Sequence, residues 1–360
     1  MIVKSISLIN YRCYKSERFA FSENCNLIHG DNAQGKTNLL EAINLLCTFR
    51  PFKQVKIDDL IRFGEDVSKL KGEIETTSGL NEVHIGFNKS KKVVRLNGKI
   101  LYRVSKAFGR FNVVSFLPSD IQLVKGSNSD RRRYLDSLIS KIDPGYLNDL
   151  KSYTKLISQR NALLAKSRNI SVDQLEVWNE KLTDYGGRIL RKRLGLLNEI
   201  ERYIDTFYKK SSGTRSSISL RYVSTIDTQK ELEKEISEKL VKSLDRDKKL
   251  KFTTVGPHRD IIELYIDGRE AGSFASQGES KNLVIALKTM EVTIISNKLG
   301  LVPVLLFDDI STELDKNRRK FLYDFFINFH GQIFITSTSP GEVPFKGSMK
   351  LFHIKNGKLI

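Results

Sequence analysis

The chain has 360 residues, 40% hydrophobic and 28% charged, the balance of a soluble globular protein with room for two domains. No stretch nears the ~18 consecutive apolar residues of a membrane span. The opening Met1–Leu8 alternates like a strand and lacks the unbroken apolar run of a secretory leader, so a cytoplasmic location and no membrane partner are expected. Against 42 Asp and Glu stand 60 Lys and Arg, and the resulting charge of +18 favours a polyanionic partner, nucleic acid before an anionic membrane. Cys13, Cys25 and Cys47 have neither paired nor metal-ligand spacing and are expected to be reduced thiols.

The first chemical signal is Gly30-Asp31-Asn32-Ala33-Gln34-Gly35-Lys36-Thr37, which reads Gly-x4-Gly-Lys-Thr, the Walker A phosphate loop. Gly30 and Gly35 allow backbone angles that turn successive amides around a phosphate. Lys36 supplies a point charge to the β- and γ-phosphates, and Thr37 offers a hydroxyl to Mg2+. The apolar run Asn26–His29 before the loop predicts a buried strand. From Asn38 to Leu46 the apolar residues recur at helical spacing, so the loop ends on a helix N-terminus.

Residues from there to about 115 predict strands: Glu73–Thr77, Glu82–Asn88 and Lys92–Leu96 alternate, and Asn97-Gly98 marks a hairpin in a mixed or antiparallel sheet. Pro118 and Gly126 punctuate Phe116–Gly126, after which Ser129 or Asp130 could cap a helix. Helices are predicted over 144–168 and 173–210, the second interrupted at Gly186-Gly187. Arg188, Arg191, Lys192 and Arg193 lie there at spacings that let several share a face; a DNA-facing surface and an ordinary solvated one account for them equally well. Ser216–Val223 predicts a strand, Lys230–Leu244 a charged helix, and Phe252–Val255 and Ile261–Ile266 further strands. The pattern is an α/β fold in which 1–120 and 250–360 form one lobe and 121–249 an inserted, mainly helical lobe.

Two further stretches carry chemistry. Val302–Asp309 is an apolar strand ending in two acids, the Walker B pattern; Asp308 can hold Mg2+, and Asp309 can orient or deprotonate the attacking water. Ser276-Gln277-Gly278 precedes the helix Lys281–Asn297, with Ser276 as N-cap and Gly278 allowing close approach. A single nucleotide needs one such cradle from its own subunit; a second makes sense when two subunits complete each other's sites.

Walker A with Asn32, Ser-x-Gly at 276–278 and Walker B with Asp309 together resemble the ATPase heads of ABC and SMC proteins. The resemblance to the RecF family of bacterial recombination mediators spans the whole chain: Leu8–Arg12, Leu117-Pro118 through Leu123–Gly126 to Arg132-Arg133, Thr253–Asp260, Phe274–Gly278 and Asp308–Asp315. Gly-Pro-His-Arg-Asp at 256–260 is its most specific block. The resemblance implies an ABC/SMC-like head, a P-loop mixed sheet with a helical insert too short for a long coiled coil. It also implies an ATP-sandwiched homodimer that clamps DNA at single-strand gaps or their duplex borders, with slow, DNA-stimulated ATP hydrolysis. The implied setting is recombinational repair, replication restart and SOS induction with RecR and RecO as partners.

Carried onto this chain, the resemblance implies that residues 30–38, ending at Asn38, hold ATP with Arg12, and that Thr37 and Asp308 hold Mg2+. Lys36 and Asp309 would be catalytic. Ser276, Gln277 and Gly278 would touch the partner's γ-phosphate, with Asp315 at the dimer seam and Asn10, Tyr11 and Arg12 near the base. Three departures stand out: Asp309 replaces the glutamate usual in ABC heads, no switch histidine follows Ile333–Ile335 because His330 precedes that strand, and Glu279 stands where RecF proteins often have Gln. The first two fit a weak ATPase, since water positioning is a matter of fine geometry. The rival readings are a monomeric P-loop phosphotransferase of a small substrate and the ATPase subunit of a transporter.

Overall fold

The run Cys25–His29 has no polar alternation, and in the computed structural model it is β3, an inner strand of a largely parallel sheet. The structure describes all residues except 53, 54, 105, 106, 167–170, 310–315, 344 and 346. Two compact units result, one of Met1–Asp120, Phe207–Thr214 and Lys281–Ile360, the other of Ile121–Thr206 and Arg215–Ser280.

In chain order the first unit begins with β1 (Ile2–Tyr11), β2 (Tyr14–Ala20), β3 (Cys25–His29), α1 (Lys36–Thr48), β4 (Val67–Thr76), β5 (Gly79–Asn88), β6 (Lys92–Leu96), β7 (Lys99–Ile100) and β8 (Val113–Phe116). There follow α2 (Gln122–Lys125), α3 (Asn128–Ile142), α4 (Pro144–Lys166), α5 (Val172–Ser212), β9 (Ile218–Val223), α6 (Leu232–Lys242), α7 (Leu244–Leu250), β10 (Ile261–Ile266), β11 (Arg269–Glu270) and α8 (Ala271–Phe274). The chain closes with α9 (Gln277–Leu299), β12 (Val304–Phe307), α10 (Lys316–Ile327), β13 (Ile333–Ser337), β14 (Met349–Lys355) and β15 (Lys358–Leu359).

The first unit holds two sheets. One is antiparallel, in the order β2-β1-β4-β5-β6-β7; the other runs β15-β14-β3-β13-β12-β8 and is parallel from β14 to β8. Helix α1 is buried almost all round, as a helix enclosed by other elements must be. Leu39, Leu40, Ile43 and Leu46 share one core with Leu8, Leu70 and Ile85 of the first sheet and Ile28, Val113, Leu306 and Phe334 of the second. Gly72 of β4 makes room for it, because a Cβ there would sit 2.3 Å from Leu46 Cδ2. The parallel register pairs Phe307 with Ile335 and Ser337 with His29, so the carboxyl ends of β12, β13 and β3 share one edge. Ligands of open α/β sheets gather at such an edge.

The second unit combines α2–α8 with a small antiparallel sheet, β11-β10-β9, and its largely apolar interior also holds charged side chains. Arg160 donates to Asp247 Oδ2 (2.7 Å) and Thr253 Oγ1 (2.8 Å), all three sealed from solvent. Arg193 grips Asp136 with Nε and Nη2, both at 2.9 Å, and reaches the Pro257 carbonyl (2.6 Å) and Asp260 (3.2 Å) with Nη1. Asp260 is also bonded by Tyr222 and Ser224. His258 donates from Nε2 to the Thr253 carbonyl (3.1 Å) and accepts the Tyr153 hydroxyl at Nδ1 (2.8 Å). Burial lowers its pKa to about 4.

Four sequence expectations change here. Phe252–Val255 is not a strand, because the amides of Thr253 and Thr254 bond the side chains of Asn161 and Asp247 in place of a ladder. Gly186-Gly187 does not interrupt α5; a Cβ at Gly187 would meet Glu233 Oε1 at 2.4 Å, so the pair lets α6 approach an unbroken helix. Residues 250–280, expected with 1–120, cluster with the helical unit, since β10 forms its ladder with β9. The helix at 128 is capped by Ser127, with Asp130 closing a capping box.

Candidate nucleotide site

The loop between β3 and α1 has the backbone its glycines predict. Gly30 (φ 146°) and Gly35 (φ 113°) lie where side chains are strained, and each is also hemmed in. A Cβ on Gly30 would fall 2.2 Å from the Ile354 carbonyl oxygen, and one on Gly35 2.5 Å from Cys13 Sγ. Tyr14 Oη donates to the Gly35 carbonyl at 2.9 Å. Gln34 turns away from the cavity: its side-chain oxygen accepts from the Asn356 amide (2.6 Å) and its carbonyl from the Gly357 amide (3.0 Å). The loop is therefore walled by the β1–β2 turn and by the turn after β14. As N-cap of α1, Gly35 brings no capping side chain, which leaves an anion-binding helix start.

Lys36 Nζ donates back to the carbonyls of Gly30 (2.6 Å) and Asp31 (2.8 Å), and burial lowers its pKa while Asp309, Asp308 and Asp31 oppose that shift. Thr37 Oγ1 lies 2.9 and 3.1 Å from the two Asp308 oxygens. Thr336 completes the constellation: its hydroxyl donates to Asp308 Oδ1 (2.8 Å) and accepts the Asp309 amide (2.8 Å). Burial raises the pKa of Asp308, and nearby Asp309 adds to the rise; Thr336, Thr37 and Lys36 oppose it. Asp309 itself sits at φ 52°, a strained angle for aspartate held by that amide bond.

One cavity, of about 160 Å3, brings together Asn32, Ala33, Gly35, Lys36, Thr37, Asn38, Asp308, Asp309 and Thr336. A hydroxyl and a carboxylate side by side are the hard oxygen ligands Mg2+ takes when water and phosphate fill its remaining positions. Among the described residues no group of three or more His, Cys, Asp or Glu could hold a metal by itself. The donor set thus fits a phosphate-bridged cation.

Other expected residues fall elsewhere. Arg12 does not line the cavity; it makes a forked bond to Glu41 of α1 (2.9 and 3.2 Å) and donates to the Asp59 carbonyl (2.7 Å). Tyr11 joins the same Glu41, and Asn10 bonds Glu65. In the second unit, the Ser276 amide donates to Glu279 Oε2 (2.8 Å) while Ser276 Oγ accepts the Glu279 amide (3.2 Å), a reciprocal capping box that opens α9 on exposed Ser276 and Gln277 and half-buried Gly278. Asp315 lies outside the described residues.

Of the four basic residues of α5, Arg193 is corrected: at 2% exposure, and about 140° around the helix from Arg188, it belongs to the interior and cannot face DNA. Arg188, Arg191 and Lys192 are on the surface, paired with Asp184, Glu233 and Asp143. All three cysteines are free thiols, two of them buried. Sequence reasoning missed Thr336 as a site residue because its nearness to Asp308 follows from strand pairing, not spacing. It also missed Glu41, whose only signal is an acid on an otherwise apolar helix.

Residues 2–356 match the family described as RecF/RecN/SMC N terminal domain. The DNA replication and repair protein RecF of Geotalea uraniireducens is 35% identical over 366 residues, covering 100% of both chains, and that of Streptococcus pyogenes is 35% identical over 360 residues, 99% of this chain and 98% of the other. A solved structure of the recombination mediator protein RecF with ATP, from the RecFOR pathway, superposes with a TM-score of 0.92 at 34% identity, covering 100% of this chain and 97% of that one. An Smc head domain from Pyrococcus furiosus superposes at 0.58 with 15% identity over 100% of this chain and 96% of that one, a likeness of fold alone.

Proposed function

The chain belongs to the RecF family and has its ABC/SMC-type ATPase head fold, and from that premise we propose that it is an ATP-dependent, DNA-binding recombination mediator. The observation that carries this reading is the convergence of Lys36, Thr37, Asp308 and Asp309 on one cavity while a second capped helix start stands at Ser276.

When bound, ATP would supply a phosphoanhydride to be hydrolysed and a terminal phosphate for a second subunit to recognise. The residues do the rest. Lys36, whose ammonium donates to two carbonyls of its own loop, would turn to phosphate oxygens in their place. Thr37 and Asp308 would hold Mg2+, with Thr336 fixing the carboxylate. Asp309 would position and deprotonate the attacking water from a backbone already constrained. Ser276, Gln277 and Gly278 would close the site of a second copy. Arg12, locked by Glu41, would act beside the base as a rigid wall.

In this reading nucleotide shifts a monomer–dimer equilibrium, and the dimer clamps DNA at gaps or single-strand/duplex borders. The +18 charge supports a DNA partner, with Arg188, Arg191 and Lys192 as remaining candidates for its contacts. Hydrolysis is slow and DNA-stimulated, and the protein acts with RecR and RecO in repair, replication restart and SOS induction. Light scattering tests the switch: molecular mass should rise with ATP, and Lys36→Ala or Ser276→Arg should abolish the rise. DNA affinity should fall with salt at a log–log slope of roughly −0.9 per phosphate contact. Constant mass with saturating ATP, and turnover indifferent to duplex DNA, would instead favour a small-molecule phosphotransferase.

A further inference from the structure

The segment Leu123–Gly126 has no part in the chemistry above, yet it is tightly built. Lys125 closes α2, and the Gly126 amide bonds the Gln122 carbonyl at 2.9 Å. Arg131 Nη1 braces the same corner by donating to the carbonyls of Val124 (3.2 Å) and Gly126 (3.1 Å). The Lys125 ammonium reaches from it to the carbonyls of Ala271 (3.4 Å), Gly272 (3.2 Å) and Ala275 (2.5 Å).

These carbonyls belong to α8 and its C-cap. The helix is a single turn, closed by the Ala275 amide donating to the Ala271 carbonyl (3.1 Å), and the carbonyls that follow have no further turn of α8 to donate to them. A lysine at such an end satisfies several at once with its three protons. Ala275 matters most, because its carbonyl and the Ser276 amide are the two polar groups of one planar peptide. Lys125 holds the oxygen of that peptide at 2.5 Å, and Glu279 holds its N–H at 2.8 Å. Opposite charges thus pin the peptide from both sides, and its rotation is the motion that would swing Ser276 away from the start of α9.

We propose that Lys125 is a positioning residue for the Ser276–Gly278 helix start, orienting the Ala275–Ser276 peptide so that Ser276 and the first amides of α9 meet a nucleotide held by a second copy of this chain. The proposal rests on the reading above, that this helix start completes a partner's site. Lys125 touches backbone only and acts through Ser276. Lysine suits the task, since a tetrahedral ammonium serves three carbonyls converging from different directions, where a planar guanidinium favours a flat acceptor pair.

The experiment compares Lys125→Met, Lys125→Arg and Ser276→Arg with the parent chain. Hydrogen exchange without nucleotide reads the local hold: in Lys125→Met the amides of 276–280 should exchange about tenfold faster, as losing a charge-assisted bond implies. Lys125→Arg should recover only part of the protection, because the charge is kept while the three-way geometry is lost, and a global unfolding curve should be unchanged. With ATP, Lys125→Met should weaken dimerisation about tenfold and lower kcat, while the affinity of the isolated subunit for a fluorescent ATP analogue stays at the parent value. Parent-like exchange at 276–280, or parent-like dimerisation beside a monomeric Ser276→Arg, would overturn the role of Lys125. If the parent chain itself gains no mass with ATP, the reading of the site fails, and the exchange result alone decides whether Lys125 holds the peptide.

Discussion

Lys36, Thr37, Asp308 and Asp309 stand at strand ends around an open cavity, whereas Arg160, Asp247, Arg193 and Asp260 are sealed inside the other unit. Both groups are charged and hydrogen-bonded. Their partners differ in kind. Lys36 rests on carbonyls of its own loop and Thr37 on Asp308, provisional contacts that a ligand can replace. Arg193 and Asp260 are satisfied by each other and by fixed neighbours from distant segments, with no open space beside them. Burial therefore separates a group that binds from a group that builds. The Gly-Pro-His-Arg-Asp block, the most specific motif of the resemblance, is architecture: its Pro257 carbonyl and Asp260 carboxylate receive Arg193, and His258 ties it to α4.

That contrast can be broken most severely at Arg193. Arg193→Ala strands Asp136 and Asp260 without their cation, and urea unfolding should show a loss of about 3–5 kcal/mol, with the earliest exchange in 121–206. A loss below ~1 kcal/mol would mean that solvent reaches these carboxylates and the sealed interior is misjudged. Asp309→Asn acts on the open group and should leave ATP binding intact while slowing turnover by about 10²–10⁴-fold, the usual worth of a general base; turnover within a factor of two of the parent would remove Asp309 from the chemistry.

His258 gives a pH signature confined to the sealed group. Its folded pKa of about 4 lies below its ordinary 6.5, so between those values the unfolded chain binds the extra proton. Stability is full above pH 6.5 and declines as pH falls toward 4, by at most ~3 kcal/mol. Denaturant midpoints at pH 7 and 5 should converge in His258→Gln, and an equal pH slope in both chains would assign the effect elsewhere. The smallest effect has the opposite sign. Because the folded pKa of Asp308 is raised, the fold disfavours its charge, and protonation on acidification relieves that cost. Asp308→Asn should melt at the same temperature as the parent or slightly higher, while losing Mg2+-dependent turnover; a marked drop in melting temperature would make Asp308 a structural residue.

How much of this was legible in sequence follows the range of each interaction. The Gly30–Thr37 loop and the Ser276 N-cap are local, and residue type and spacing carried them, whereas the Glu279 half of the capping box emerges only from the structure. The strand ending at Asp308 was recognisable from its apolar run, but its neighbour Thr336 required the pairing of β12 with β13. The purpose of Asp260 was out of reach, since Arg193 lies 67 residues away on α5. On the helix itself, Arg188, Arg191 and Lys192 fall on one arc, and Arg193 departs from it by a turn angle that simple clustering overlooks. Gly186-Gly187 misled for a related reason: its cause is a neighbour, α6, invisible in local pattern.

The walls of the phosphate loop carry a consequence for how the chain is made. Gln34 is gripped by residues 356 and 357, and the Asn356 contact spans 322 positions. Gly30 is pressed against β14, and β3 pairs with β13 and β14. On the ribosome, the loop emerges long before any of these, and contacts of such separation form late. A nascent chain therefore carries the loop residues well before it has the residues that wall the loop.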